Sequence, residues 1–207
     1  MSEIVFYTNP MSRGRMVRWM LEEVGVPYRT EIVPFGPPMK TPDYRSVNPL
    51  GKVPSIRHGD NVVTEVAAIC AYLADAFPEA HLAPPPADRA SYYRWMFFAA
   101  GPLEACLVNR ALGVTVPDDK RGMVGYGRYD TMLDTLEGAV SASDYVAGKA
   151  FTAADVYVGS HIGWGMHTGA IEKRQAFTDY LGRVGSRPAA RRAAELDDAA
   201  AAAMQNT

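Results

Sequence analysis

The stretch EIVFYTNPMSRGRMVRWMLEEVGVPYRTEIV, residues 3–33, reads as strand, helix, strand. Its first six residues, EIVFYT, are rich enough in β-branched and aromatic side chains for a strand. From Arg13 the apolar positions Met16, Val17, Met20, Leu21 and Val24 fall at helical spacing. Gly25-Val26-Pro27 stops the helix, and a second strand starts at Tyr28. Strand, helix, strand in this order implies a right-handed parallel crossover, so the chain opens as a βαβ unit.

Working outward, Pro34, Gly36, Pro37, Pro38 and Pro42 predict an irregular loop, followed by one turn or two of helix in DYRSVNPLG. KVPSIRHGDNVVTE predicts two short strands around His58-Gly59-Asp60-Asn61, an antiparallel hairpin. Val66, Ile69, Cys70, Leu73 and Phe77 then mark a helix with one buried face. After PEAHLAPPPADR, residues 78–89, strand signals almost vanish, which makes this the predicted domain boundary. Helical patterns follow near 88–112, 118–141, 153–167, 174–184 and 188–203, and the alanine-rich end from Ala199 is expected to fray. The predicted architecture is α+β, βαβ-ββα, over residues 1–79, then all-α over residues 88–207.

Composition narrows the function classes. A 48% apolar chain of 207 residues can build a substantial core. A net charge of −2 without a basic run excludes the electrostatic footprint of a nucleic-acid binder. Neither a secretory pattern at Met1-Ser2-Glu3-Ile4 nor a spanning apolar run occurs, so no membrane association and a cytoplasmic location are expected. Cys70 and Cys106 sit in helical patterns outside any ligand spacing, which predicts buried thiols and no metal site.

Three pieces, NPLGKVPSI at 48–56, VTEVAAICAYLADAFPE at 63–79 and FTAADVYVG at 151–159, taken in this order and separation, resemble the cytosolic glutathione transferases, including bacterial ones. The likeness covers essentially the whole chain. It implies a thioredoxin-like glutathione-binding domain, a helical electrophile-binding domain, glutathione as co-substrate, a homodimer and a role in detoxification.

The resemblance also implies roles for residues. In thioredoxin-like folds the proline matching Pro54 is cis, which would turn the Val53 N–H and C=O toward an extended tripeptide, as an added strand would. Glu65 would meet the γ-glutamyl ammonium, and the Val66 N–H its carboxylate. A plain dipole decoration remains open for Glu65. The family often has Glu-Ser or Gln-Ser here, and Val66 offers no hydroxyl, which predicts weaker glutathione binding. Lys52 or Lys40 would pair with the glycyl carboxylate, or be merely solvated. Thr152 with Asp155 resembles the family's structural capping box.

A free thiol with a pKa near about 8.5 is mostly protonated at neutral pH, so the protein has to stabilise the thiolate. Ser12 lies where serine-type, beta-like members carry their hydroxyl, and its O–H would donate to sulfur. It would otherwise be a helix cap, without Glu or Gln at Arg15 to complete a box. Arg13 would add positive charge and Asn9 an amide donor. Tyr7 is the rival donor, as in tyrosine-type classes. The cysteine-type classes are excluded because residues 1–69 hold no cysteine. A small apolar electrophile would sit between the domains, against Met11, Tyr92, Met96 and Trp164, with Trp95, Phe97, Ala99, Tyr126 and His167 as further candidates. Most of these read as core packing rather than pocket, because a Trp and Met stripe at helical spacing is usually packing. The alternative function is a non-catalytic transferase-like module binding ligands or proteins. A thiol-disulfide oxidoreductase lacks its N-terminal cysteine.

Overall fold

The computed structural model describes residues 2–205. They form two compact units, one running to Leu82 and including the residues from Arg187 onward, the other Ala83–Ser186.

In the first unit, β1 (Ile4–Thr8), α1 (Gly14–Val24) and β2 (Tyr28–Ile32) make the βαβ start. A 3-10 turn at Pro37–Lys40, α2 (Pro42–Val47), β3 (Ser55–His58), β4 (Asn61–Thr64) and α3 (Val66–Ala76) follow. The sheet order is β2-β1-β3-β4, with β1 parallel to β2 and antiparallel to β3, and β3 antiparallel to β4. This is the thioredoxin-like α+β arrangement, and the Gly59-Asp60 turn closes the expected hairpin.

Alternation along β1 sorts its side chains. Phe6, fully buried, lies under the Arg18 guanidinium of α1, whereas Tyr7 packs on the opposite cluster of Val33, Met39, Tyr44 and Val47. Gly14 is required where α1 meets β1. A Cβ there would stand 1.9 Å from Thr8 Oγ1, and Thr8 is itself fully buried.

The proline-rich loop is more regular than expected. Pro37 and Pro38 open the 3-10 turn and Pro42 opens α2, positions where a missing N–H costs no hydrogen bond. The Thr41 hydroxyl caps α2 by accepting from the Tyr44 N–H at 3.3 Å.

The second unit is all-helical: α4 (Ala90–Phe98), α5 (Glu104–Ala111), α6 (Tyr129–Ala142), α7 (Ala153–Thr168) and α8 (Gln175–Gly185). The helix expected over 88–112 is interrupted by a π-turn at Ala99–Leu103 that contains Pro102, which has no N–H to give to the ladder. The helix expected over 118–141 begins only at Tyr129. Asp118–Met123 is a 3-10 segment that contains Gly122, and Gly125 and Gly127 follow, each glycine costing a helix about 1 kcal/mol relative to Ala. The Thr152–Asp155 capping box is present. Asp155 Oδ2 accepts from the Thr152 N–H at 2.9 Å, and Oδ1 from the Val146 N–H and the Tyr180 hydroxyl at 2.8 and 2.9 Å. Burial pushes the Asp155 carboxyl up against these donors.

The terminal helix α9 (Pro188–Gln205) corrects two expectations. It is helical through Ala199–Ala203 rather than frayed, and it belongs to the first unit rather than the helical one. The reason is a set of ion pairs with α1: Arg18 with Asp197, Arg15 with Asp198, Glu23 with Arg187 and Glu22 with Arg192. Among the described residues no helix is long and apolar enough to cross a membrane, and no group of three or more His, Cys, Asp or Glu could hold a metal.

Candidate active site

Strand register gathers the candidates at one end of the sheet. Ser55 pairs with Tyr7 on one side and with Thr64 on the other. The residues just beyond, the β1–α1 turn, Val53-Pro54 and Glu65-Val66, therefore come to the same end.

The Val53–Pro54 bond is cis. The peptide before it is held by its carbonyl: Lys52 O accepts from the Tyr44 hydroxyl at 2.6 Å and from Asn48 Nδ2 at 2.9 Å. Burial pushes the Tyr44 phenol up, which keeps it a donor. Asn48 also orders its own turn, Oδ1 accepting from the Leu50 N–H at 3.1 Å and its carbonyl from the Gly51 N–H at 2.7 Å. Gly51, at φ 57, lies so close to Met39 that a Cβ would meet its carbonyl oxygen at 2.3 Å. Val53 follows with its N–H and C=O outside the backbone pairing of the described residues. Tyr44 and Asn48, which hold the peptide before Val53, were missed by the sequence reading. Asn48 stood inside a quoted motif, but a carbonyl clamp across four residues leaves no pattern in sequence.

Glu65 is the N-cap of α3, at φ 65 and ψ 120, a backbone region costly for a residue with a Cβ. Its side chain is exposed and makes no capping bond, so the first N–H groups of α3, Val66 among them, are left uncapped. An uncapped helix start favours a bound carboxylate.

The two lysines separate. Lys40 Nζ donates to Leu50 O at 3.1 Å and Gly51 O at 2.9 Å, so its charge already braces the turn. Lys52 is exposed, its ammonium without a partner among the described residues.

In the β1–α1 turn, Ser12 Oγ donates to Asn9 O at 2.7 Å and accepts from the Gly14 N–H at 2.9 Å. Arg13 is exposed at the helix start. Asn9 does not fit the expected donor role. It is fully buried, its Nδ2 donates to Val33 O at 3.1 Å and its Oδ1 accepts from the Met11 N–H at 3.0 Å, so it ties β1 to the end of β2. The Tyr7 ring lies 5.9 Å from that of Tyr44, half-buried in the α2-side cluster.

Of the electrophile-site candidates, Met11 and Trp164 are exposed. Tyr92 and Met96 are corrected to core positions, 1% and 3% exposed, with no surface for a ligand. Burial pushes the Cys70 thiol up to about 12 and the Cys106 thiol up to about 11, which keeps both protonated.

A thioredoxin-like sheet with a cis-proline before β3, in a chain that continues into an all-helical unit, defines the class. A family model described as the glutathione S-transferase N-terminal domain matches residues 11–76. Glutathione S-transferase 3 of Zea mays is 30% identical over 168 residues, covering 75% of each chain. Among solved structures, a glutathione transferase from Methylococcus capsulatus superposes with a TM-score of 0.77 at 26% identity, over 94% of this chain and 98% of that one. The theta-class enzyme of Xanthomonas axonopodis pv. citri, with glutathione bound, gives 0.72 at 28% identity, over 94% and 98%. The chain belongs to the glutathione S-transferase family and is a transferase enzyme.

Proposed function

We propose that this transferase lays glutathione across the sheet end described above and activates its thiol for attack on a small apolar electrophile. One observation carries the reading: the unpaired Val53 backbone and the uncapped start of α3 lie at one sheet end, through the pairing of Ser55 with Thr64. The cysteinyl backbone of glutathione would pair with Val53. The γ-glutamyl carboxylate would take the Val66 N–H, its ammonium Glu65, and the glycyl carboxylate Lys52.

Ser12 is the proposed thiolate donor, with Arg13 adding positive charge beside it. To reach sulfur the hydroxyl has to rotate off Asn9 O, and that carbonyl keeps a 3.0 Å bond from the Ser12 N–H. The rotation therefore orphans no acceptor, and the bond from the Gly14 N–H can persist. The thiol gives up its proton to solvent water, and the Ser12 hydroxyl stabilises the sulfur anion by a hydrogen bond without transferring its proton. The anion then forms the new carbon–sulfur bond either by adding to an activated double bond, whose carbanion takes a proton from water, or by displacing a leaving group that departs as an anion. Depressing the thiol pKa by two units takes about 3 kcal/mol, within reach of one charge-assisted donor plus a helix start. A homodimer acting in cytoplasmic detoxification, without a metal, completes the proposal by analogy with the family.

Retention on a glutathione resin, followed by ultraviolet titration of the bound thiolate, tests the reading. Retention with a thiol pKa below the free value of about 8.5 to 9 is expected. No retention and an unshifted thiol would leave the non-catalytic binding module instead.

A further inference from the structure

Within the helical unit, the segment joining α5 to α6 walls a cavity of about 260 Å³. Three arginines line it, Arg110, Arg121 and Arg128. Against them stands one lining carboxylate, Asp130, while exposed Asp118 pairs with Arg121. Neither Arg110 nor Arg128 has a carboxylate partner among the described residues. The Cys106 thiol in the wall is neutral, since burial pushes it up to about 11, and adds no negative charge. A concave site with surplus fixed positive charge and few counter-charges attracts an anion.

The lining is also ordered in a way that selects the shape of that anion. The Arg110 guanidinium carbon lies 4.3 Å from the centroid of the Tyr129 ring. That ring is pinned at its far end, where its hydroxyl donates to Ala170 O at 3.0 Å and accepts from the Glu172 N–H at 3.2 Å. Stacking occupies the flat face of the guanidinium and leaves its N–H edge for a planar, two-oxygen acceptor. In the same lining, the Tyr126 hydroxyl accepts from Asn109 Nδ2 at 2.9 Å, which leaves its own proton available to a ligand. Val114 and Val116 supply an apolar wall. The volume falls below the roughly 300 to 1,000 Å³ of pockets for larger ligands, so the occupant is small.

We propose that this cavity binds a small monocarboxylate carrying an aryl or short apolar body, with Arg110 gripping the carboxylate and Tyr126 donating to it. The apolar wall favours such a ligand over inorganic phosphate, which has nothing to place against Val114 and Val116. The site is independent of the glutathione reading.

The test titrates benzoate into the full-length protein by calorimetry, with benzyl alcohol as the uncharged isostere and inorganic phosphate as competitor. Saturable benzoate binding is expected, with benzyl alcohol much weaker and phosphate a poor competitor. Arg110→Gln should weaken benzoate about tenfold or more, and Tyr126→Phe less. Arg128→Gln, at an exposed position where folding is not at issue, should also weaken it. Arg94→Gln, whose guanidinium lies 4.6 Å from the Trp95 ring outside the cavity, should bind as the unaltered protein does. Absence of saturable binding, equal affinity for benzyl alcohol, phosphate competing as well as benzoate itself, or undiminished binding in Arg110→Gln would overturn the proposal.

Discussion

Asp197 Oδ1 accepts a 2.7 Å hydrogen bond from Arg18 Nε, and the two side chains are 1% and 5% exposed. The pair joins α9 to α1, and Arg18 also donates to the Tyr28 hydroxyl and Thr30 Oγ1, both at 3.2 Å. The second carboxylate oxygen, Asp197 Oδ2, is buried without a hydrogen-bond partner among the described residues, so the pair is better suited to fixing where α9 docks than to maximising stability. Asp197→Ala would strand a buried guanidinium and should cost about 3 to 5 kcal/mol in urea unfolding. The double variant Arg18→Met with Asp197→Leu should recover much of that loss. Equal destabilisation of single and double variants would show that the charge is not the cause.

Ser12 and Tyr7 make opposite forecasts for turnover. Removing a hydrogen bond to a charged sulfur should lower kcat of Ser12→Ala by roughly 10- to 100-fold while leaving the glutathione KM nearly unchanged. Tyr7→Phe keeps the ring in its cluster with Tyr44, Val33 and Met39, and should be mild. Steady-state kinetics on both variants decide it. The reverse pattern would move the thiolate role to Tyr7.

Tyr44 is a positioning residue, because it acts on Val53 through the Lys52 carbonyl. Tyr44→Phe leaves the Asn48 bond to that carbonyl in place. The expected result is a rise of about two- to tenfold in glutathione KM with kcat little changed. A loss of stability with unaltered KM would mean that the hydroxyl serves packing alone.

How much of this was legible beforehand depends on the range of the signal. The βαβ-ββα order, the hairpin at Gly59-Asp60 and the Thr152–Asp155 box rest on periodicity and turn chemistry within a few residues, and sequence carries those directly. The α9 docking could not be read that way. Asp197-Asp198 looks like a solvated pair at a helix end, and only a partner 179 residues away makes Asp197 a core residue. The same holds at the site. Asn9 has the right chemistry for a donor at the right turn, yet Val33 O, 24 residues on, takes its amide. Lys40 offers in sequence the same ammonium as Lys52, but the carbonyls of Leu50 and Gly51 already occupy it.

Cys70 ties stability to alkaline pH. Its thiol is fully buried, and burial pushes it from an ordinary value of 9.0 up to about 12. The folded chain thus holds this proton more tightly than the unfolded chain. The stabilisation is whole below about pH 9 and is lost as pH rises toward about 12, because only the unfolded thiol ionises in that window. From about pH 8 to about pH 10 the unaltered protein should lose about 1 kcal/mol on this account. Cys70→Ala starts from lower stability, having vacated core volume, but lacks the titrating group. The stability gap between the two proteins, followed by urea unfolding, should therefore shrink as pH rises. A gap that stays constant across that range would show that the Cys70 thiol ionises alike in both states.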